Sequence, residues 1–235
     1  FRSGRGRALL DRERSDLVAT VAHELRSPLT GVKGFVQALL NRWDKLNDDQ
    51  RKLMLTTVNA DADRLARLIA ELLDVARIDT GRLQLYPRES SAEVLVRRVV
   101  GSIEAGTARS ITLEVEDGLP NVFADPDKLT QVVTNLVENA IRHGQGQVSV
   151  RLVASPELDG VRIIVDDEGD GIPVELRRRV FTKFWTTGES GGSGLGMYII
   201  GGLSRAPGGW GTIDDAPGGG ARVMVDWPRE DRRPA

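Results

Sequence analysis

At 235 residues, 40% of them apolar and 28% charged, the chain is long enough for one large domain or two smaller ones and has the composition of an ordinary folded protein. Its formal net charge of −2 gives no electrostatic case for nucleic acid, and the absence of cysteine excludes disulfides, thiolate nucleophiles and cysteine-held zinc. No apolar run reaches transmembrane length and no signal peptide is visible. The chain starts abruptly inside a helical pattern, which reads as a piece of something longer.

Residues 8–79 carry a helical period. Val18, Val21, Leu25, Pro28, Val32, Phe35 and Leu39 recur at alternating steps of three and four, and so do Leu55, Val58, Ala62, Leu65, Ile69, Leu72 and Ala76. The polar connection Asn41–Gln50 is short enough to force an antiparallel hairpin, with Asn47 or Asp48 as N-cap of the second helix and Gly81 ending it. Two helices bury too little apolar surface to stand alone. The expected remedy is a second copy, giving a dimeric four-helix bundle; packing of the hairpin on the second half as a helical layer is the alternative.

With Val18 at heptad position a, His23 falls at f, facing away from the seam, and Glu24 at g beside it. An exposed imidazole near its reference pKa is largely neutral at pH 7 and keeps a free lone pair. The Glu24 carboxylate is placed to accept the other ring N–H and to take up a proton. Pro28 removes the N–H that would bond the carbonyl of residue 24, and Gly31 and Gly34 follow, so a bendable helix is expected just after His23.

After a linker at 81–90, centred on Tyr86–Ser90, the period changes. Ile111–Val115, Val148–Leu152, Val161–Ile163 and Arg222–Asp226 alternate as strands with one wet face. Asp125 and Pro126 open a helix that runs through Leu129, Val132, Val133, Leu136, Val137 and Ala140. The second half, 91–235, is expected to be a sheet with helices on one face. The whole chain is then α+β, with a hairpin over 1–80 followed by an α/β sandwich.

That second half has no P-loop, but three signals occur in order. Asn135 and Asn139 share a helix face at i, i+4, and amide oxygens suit Mg²⁺ beside a polyphosphate without repelling it. Val165–Pro173 leaves a strand and enters an acidic glycine turn; Asp167 there can accept the amine of adenine, with Gly169 and Gly171 allowing close approach. A calcium loop or a plain hairpin turn reads the same way. Gly188–Gly196 leads into a helix N-terminus, which suits phosphate, although a flexible linker has the same composition. Phe181 and Phe184, flanking Lys183, fit either a lid anchor or ordinary core.

Together these segments resemble the sensor histidine kinases of two-component signalling. His23-Glu-Leu-Arg-Ser-Pro-Leu is similar to the family's H box, Asn135–His143 to its N box and Asp167-Glu-Gly-Asp-Gly to its G1 box. Phe181-Thr-Lys-Phe is similar to the F box and Gly192-Ser-Gly-Leu-Gly196 to the G2 box. Each is short, but their order is specific. The resemblance implies a dimerisation and phosphotransfer hairpin followed by a Bergerat-type ATP-binding domain. It implies His23 as phosphoacceptor, Glu24 as its base, Asn139 helped by Asn135 on Mg²⁺, and Asp167 on adenine. It places Lys183, Gly194 and Leu195 with the other box residues around ATP, and Arg142 and His143 near phosphates or ribose, with a capping role before Gly144 equally open for His143.

The implied partners are a second copy and a response-regulator receiver domain docking between His23 and the hairpin loop. No nucleic acid is expected, and membrane attachment only through segments outside this chain, which would be the cytoplasmic portion of a sensor. Ser27 stands where many relatives carry threonine or asparagine to orient a dephosphorylating water. The glycines of Gly201–Pro207 fall where a firmer helix is expected. The rivals are an ATPase of the gyrase or MutL type, disfavoured by the hairpin with its exposed histidine, and a non-catalytic scaffold, disfavoured by the intact Asn139 and Asp167.

Overall fold

The computed structural model describes residues 3–186 and 193–230, with side chains from residue 19 onward. It divides into two compact units, Phe1–Leu73 and Asp74–Ala235.

The first unit holds α1 (Ser3–Arg42), a single 3₁₀ turn (Trp43–Lys45) and most of α2 (Asp48–Asp79). Helix α2 opens with a reciprocal cap: Gln50 N donates to Asn47 Oδ1 at 2.8 Å and Asn47 N to Gln50 Oε1 at 3.1 Å. At the tip, Arg51 donates to the Trp43 carbonyl oxygen and lies 4.6 Å from its ring centroid. Helix α1 continues without interruption across Pro28, which is buried, and Leu39 is buried further along the same seam.

Gly31 packs closely on the second helix. A Cβ there would lie 2.1 Å from Asp61 Oδ2, so its bare backbone makes room for a side chain of α2. Part of the expected α2 seam is left uncovered within one hairpin. Leu55 and Ile69 are 51% and 47% exposed, whereas Leu68 is buried. Helix α2 is apolar over more than one stripe, and within a single hairpin the 55–69 row finds no cover.

The second unit begins with the last turns of α2. A Schellman arrangement ends that helix: Arg82 N donates to the Arg77 carbonyl oxygen and Gly81 N to that of Ile78, with Gly81 at φ +64. Part of the expected linker is a strand. β1 (Arg88–Ser90) pairs antiparallel with β3 (Val122–Ala124). A mixed sheet follows, in the order β2-β4-β5-β7-β6, from β2 (Ile111–Val115), β4 (Val148–Ala154), β5 (Gly160–Asp166), β6 (Trp210–Asp215) and β7 (Ala221–Pro228). Among the described strands only β2 and β4 run parallel, the intervening chain crossing through the helix Pro126–His143.

The alternation read from the sequence is the alternation of the sheet's two faces. Val148, Val150, Leu152, Val161, Ile163, Val225 and Trp227 are buried on one side, with α3 (Ala92–Glu104), α4 (Pro126–His143) and α5 (Gly196–Arg205) supplying the helical layer. Each such side chain contributes on the order of 1.5–3 kcal/mol. The other side carries charge pairs between directly opposed residues. Arg222 donates to both oxygens of Asp166 at 2.7 and 2.8 Å, and Arg162 to both of Asp226 at 2.9 and 2.8 Å. Asp226 is fully buried, and its pairing raises the Arg162 pKa above the ordinary guanidinium value.

Helix α4 forms as its sequence dictates. Asp125 Oδ1 accepts from Asp127 N and Lys128 N, Pro126 starts the first turn, and Leu129, Val132, Val133, Leu136, Val137 and Ala140 are all buried. Asp125 Oδ2 accepts from Tyr86 N at 2.9 Å, fixing the approach to β1. Lys128 Nζ donates to Asp74 Oδ1 at 2.8 Å, and Gln131 Nε2 to Asp74 Oδ2 at 2.8 Å.

Candidate nucleotide and phosphoacceptor sites

In the first unit His23 is exposed on α1 and Ser27, one turn on, is exposed as well. Glu24 is partly covered, and its Oε2 lies 3.7 Å from Arg64 Nη2 of α2. The ring therefore reaches solvent while the neighbouring carboxylate is steadied by a cation across the hairpin.

In the second unit the candidate pocket runs along α4. Asp167, at the end of β5, is 9% exposed. Its Oδ1 accepts from Gly169 N at 2.8 Å and Ala221 N at 3.1 Å. Those two bonds fix the carboxylate plane and leave Oδ2 as the oxygen available to a ligand. Glycines wall it closely. A Cβ on Gly144 would lie 2.5 Å from the Asp167 Cβ, one on Gly220 2.0 Å from its carbonyl oxygen, and one on Gly169 3.0 Å from the His143 carbonyl oxygen. Gly171, at φ +72, backs onto Gly220, itself at φ +89. Gly169 and Gly171 were expected here; Gly144 and Gly220 were not, although each is a glycine just outside an element, at the end of α4 and before β7.

Toward the other end of α4, Asn135 and Asn139 face the start of α5. A Cβ on Gly196 would sit 3.5 Å from Asn139 Nδ2 and 4.0 Å from Asn135 Cγ. Asn135 Nδ2 is buried without a hydrogen-bond partner, an orphaned donor of the kind a ligand oxygen satisfies. No group of three or more acidic, histidine or cysteine side chains is arranged to hold a metal ion among the described residues. A hard cation here would take amide oxygens, phosphate oxygens and water, which suits Mg²⁺, and the two asparagines fit that donor set.

The remaining box residues are placed as follows. Leu195 is fully buried and anchors the entry to α5, its N–H donating to Ser193 Oγ at 3.2 Å. Gly194 is at φ +66, and a Cβ on it would lie 2.7 Å from the Phe184 backbone. Phe184 has φ 58, the one positive value at a non-glycine among the described residues. Phe181 packs between α5 and β6: Cβ atoms on Gly201 and Gly211 would come within 3.3 and 3.2 Å of its ring. That favours the packing reading over a lid anchor. Gly192 lies outside the described residues.

Lys183 points to a protein partner, pairing with Asp79 at the end of α2. Arg142 is exposed on the last turn of α4. His143 ends that helix, and desolvation, then Arg142, lowers its pKa below 6.5 against a smaller opposing effect of Asp167. The glycines of α5 do not break it. A Cβ on Gly202 would meet Ile78 Cδ1 at 2.7 Å, so the glycine admits a neighbour's side chain.

An exposed histidine on a helical hairpin and, in the same chain, a glycine-walled pocket with paired asparagines make up a two-module architecture. The chain belongs to the sensor histidine kinase family. The model for the His Kinase A (phospho-acceptor) domain matches residues 13–81, and that for the histidine kinase-, DNA gyrase B- and HSP90-like ATPase matches residues 124–231. It is 33% identical over 222 residues to the alginate biosynthesis sensor protein KinB of Pseudomonas aeruginosa, covering 93% of this chain and 37% of that protein. It is 32% identical to the sensor protein KdpD of Mycobacterium tuberculosis, covering 97% of this chain and 27% of that one. The chain thus spans about a third of the length of such curated relatives. Among solved structures it resembles full-length ShkA in complex with AMPPNP, with a TM-score of 0.68 at 30% identity, covering 93% of this chain and 47% of that chain. The fold is shared with ThkA in complex with the response regulator TrrA, with a TM-score of 0.68 at 24% identity, covering 99% of this chain and 66% of that chain. No described helix is long and apolar enough to cross a membrane.

Proposed function

We propose that this chain is the ATP-dependent autokinase and phosphotransfer portion of a two-component sensor, with His23 as the phosphoacceptor. The observation that carries the reading is the coexistence of an exposed His23 beside Glu24 with a pocket whose Asp167 Oδ2 and Asn135 Nδ2 are both left for a ligand. Asp167 Oδ2 accepts from the adenine amine, and the Gly144, Gly169 and Gly220 backbones admit the base. The N-terminus of α5 at Gly196 would face the phosphates, and Asn139 and Asn135 would hold Mg²⁺, which would supply neutralisation of phosphate charge. A ring nitrogen of His23 forms the N–P bond as the bond from the γ-phosphorus to the β-bridging oxygen breaks. Glu24 takes the ring proton. The gain comes mainly from positioning.

The phosphoryl group then passes to an aspartate of a response-regulator receiver domain docked on α1 and α2, where Ser27 stands ready to orient water. A homodimer is supported by Leu29, Leu40, Leu55, Ile69 and Leu73, each roughly half exposed or more in the single hairpin. The likeness to longer sensor proteins supports placement as one portion of a longer sensor. The test is labelling with γ-labelled ATP. The wild-type chain gains an acid-labile label and His23→Gln gains none; persistent label on the variant refutes the assignment. Mixing His23→Gln with Asn139→Ala restores label if transfer runs between subunits. ATP hydrolysis without a phosphoenzyme would favour the gyrase or MutL type of ATPase.

A further inference from the structure

Asp79 sits at the wrong end of its helix. It is the last residue of α2, where the macrodipole is negative and a carboxylate is disfavoured. The helix end does not need it, because the terminal carbonyls are capped by the main-chain N–H groups of Gly81 and Arg82. What explains Asp79 is its side-chain company. Lys183 Nζ donates to Oδ2 and the Tyr198 hydroxyl donates to Oδ1, so both carboxylate oxygens are engaged. The Lys183 ammonium also lies 5.2 Å from the Tyr198 ring centroid.

Lys183 lies beside the segment that leads into the phosphate end of the candidate pocket. Tyr198 is in the first turn of α5, two residues after Gly196, which faces Asn139 and Asn135. Lys183 precedes Phe184, whose strained backbone packs on Gly194 at the entry to the same helix. Burial and then Asp79 push the Tyr198 pKa up to about 12, so the hydroxyl remains a donor throughout the physiological range. The Lys183–Asp79 pair is about one-third exposed on each side, 33% and 31%. Pairs of this kind are weak and readily exchanged.

We propose that Asp79 is a built-in competitor for the nucleotide's phosphates: its carboxylate holds Lys183 and surrenders it to a bound polyphosphate. The ammonium on its flexible four-carbon stem exchanges a singly charged carboxylate for a more highly charged phosphate chain. Nucleotide binding and release of Lys183 from the end of α2 are then linked, each favouring the other by the same factor. The proposal rests on the nucleotide reading of the pocket given above.

The test compares the wild-type chain, Asp79→Asn, Lys183→Met and the double variant, titrated with Mg·AMPPNP and, separately, with adenosine. Asp79→Asn is expected to tighten Mg·AMPPNP by about two- to fivefold, the scale of a part-exposed ion pair, and to leave adenosine unchanged. Lys183→Met weakens Mg·AMPPNP, and adding Asp79→Asn to it changes nothing. Asp79→Ser serves in place of Asp79→Asn if the amide perturbs the fold. Unchanged or weaker AMPPNP binding by a folded Asp79 variant overturns the competitor role, and so does an equal gain for adenosine. A wild-type chain that binds neither ligand sinks the nucleotide reading itself and this proposal with it.

Discussion

The main-chain N–H of Ala221 donates to Asp167 Oδ1 at 3.1 Å, and this bond exists because Gly220 brings its backbone to within a distance of Asp167 that no Cβ would permit. The carboxylate is thereby held from β7 and from its own turn at once. One oxygen is consumed by structure and the other is reserved for chemistry.

Asp167→Asn should separate those two functions. Its amide oxygen still accepts from Gly169 and Ala221, which turns the NH₂ toward the base. Two donors then oppose each other, at a cost of about 1–3 kcal/mol or roughly ten- to a hundredfold in ATP affinity. A nucleotide with a carbonyl at that position, such as inosine triphosphate, should lose much less. Calorimetric titration of both ligands, with circular dichroism as a fold control, checks this. Equal losses would remove Asp167 from base recognition.

The Asp74–Lys128 pair should be a structural tie of the second unit. Its side chains are 7% and 19% exposed, and Gln131 completes the carboxylate's bonding. Removing one partner strands a buried charge. Asp74→Ala is expected to cost about 3 kcal/mol, and the double change with Lys128→Met clearly less than the sum of the single changes. Urea unfolding of the set is the measurement, and simple additivity would show that the pair is not coupled.

His143 sets a pH dependence whose sign is fixed. Its folded pKa is lowered below 6.5, chiefly by desolvation and then by Arg142. Below 6.5 the unfolded chain takes up a proton that the folded chain resists, so stability falls as pH falls through the window from 6.5 down to the folded value. His143→Gln should flatten that portion of the profile and leave the neutral-pH stability nearly unchanged. Unfolding series at pH 7.5 and at stepped values below 6.5 test it; parallel profiles would exclude His143 as the source.

What was legible in the sequence was what local chemistry writes. Asp125 with Pro126 and the apolar stripe of α4, the Asn47 cap and the Gly81 stop each involve residues within a turn or two of one another. The strand β2 matches its alternation residue for residue. The failures are non-local. β1 is three residues long and its partner β3 lies beyond α3 and β2, so Arg88–Ser90 carries no period to read and passes for a linker. The purpose of Gly31 and Gly202 depends on Asp61 and Ile78, supplied by another helix. Lys183 was legible as a cation near the pocket, but its partner Asp79 is 104 residues away, and no spacing rule reaches that far.

Strand β5 ends at Asp166, and Arg222 near the start of β7 stands directly opposite it with a bidentate ion pair between them. Of the described residues between them, the glycine turn, α5 and β6 belong to one connection stapled at its base, with β6 returning to pair with β7. Insertions or deletions inside such a cassette change the circuit without shifting the register of β5 on β7, because closing a longer loop costs little. The connection between β5 and β7 is thus free to change in length while the scaffold beneath stays as it is.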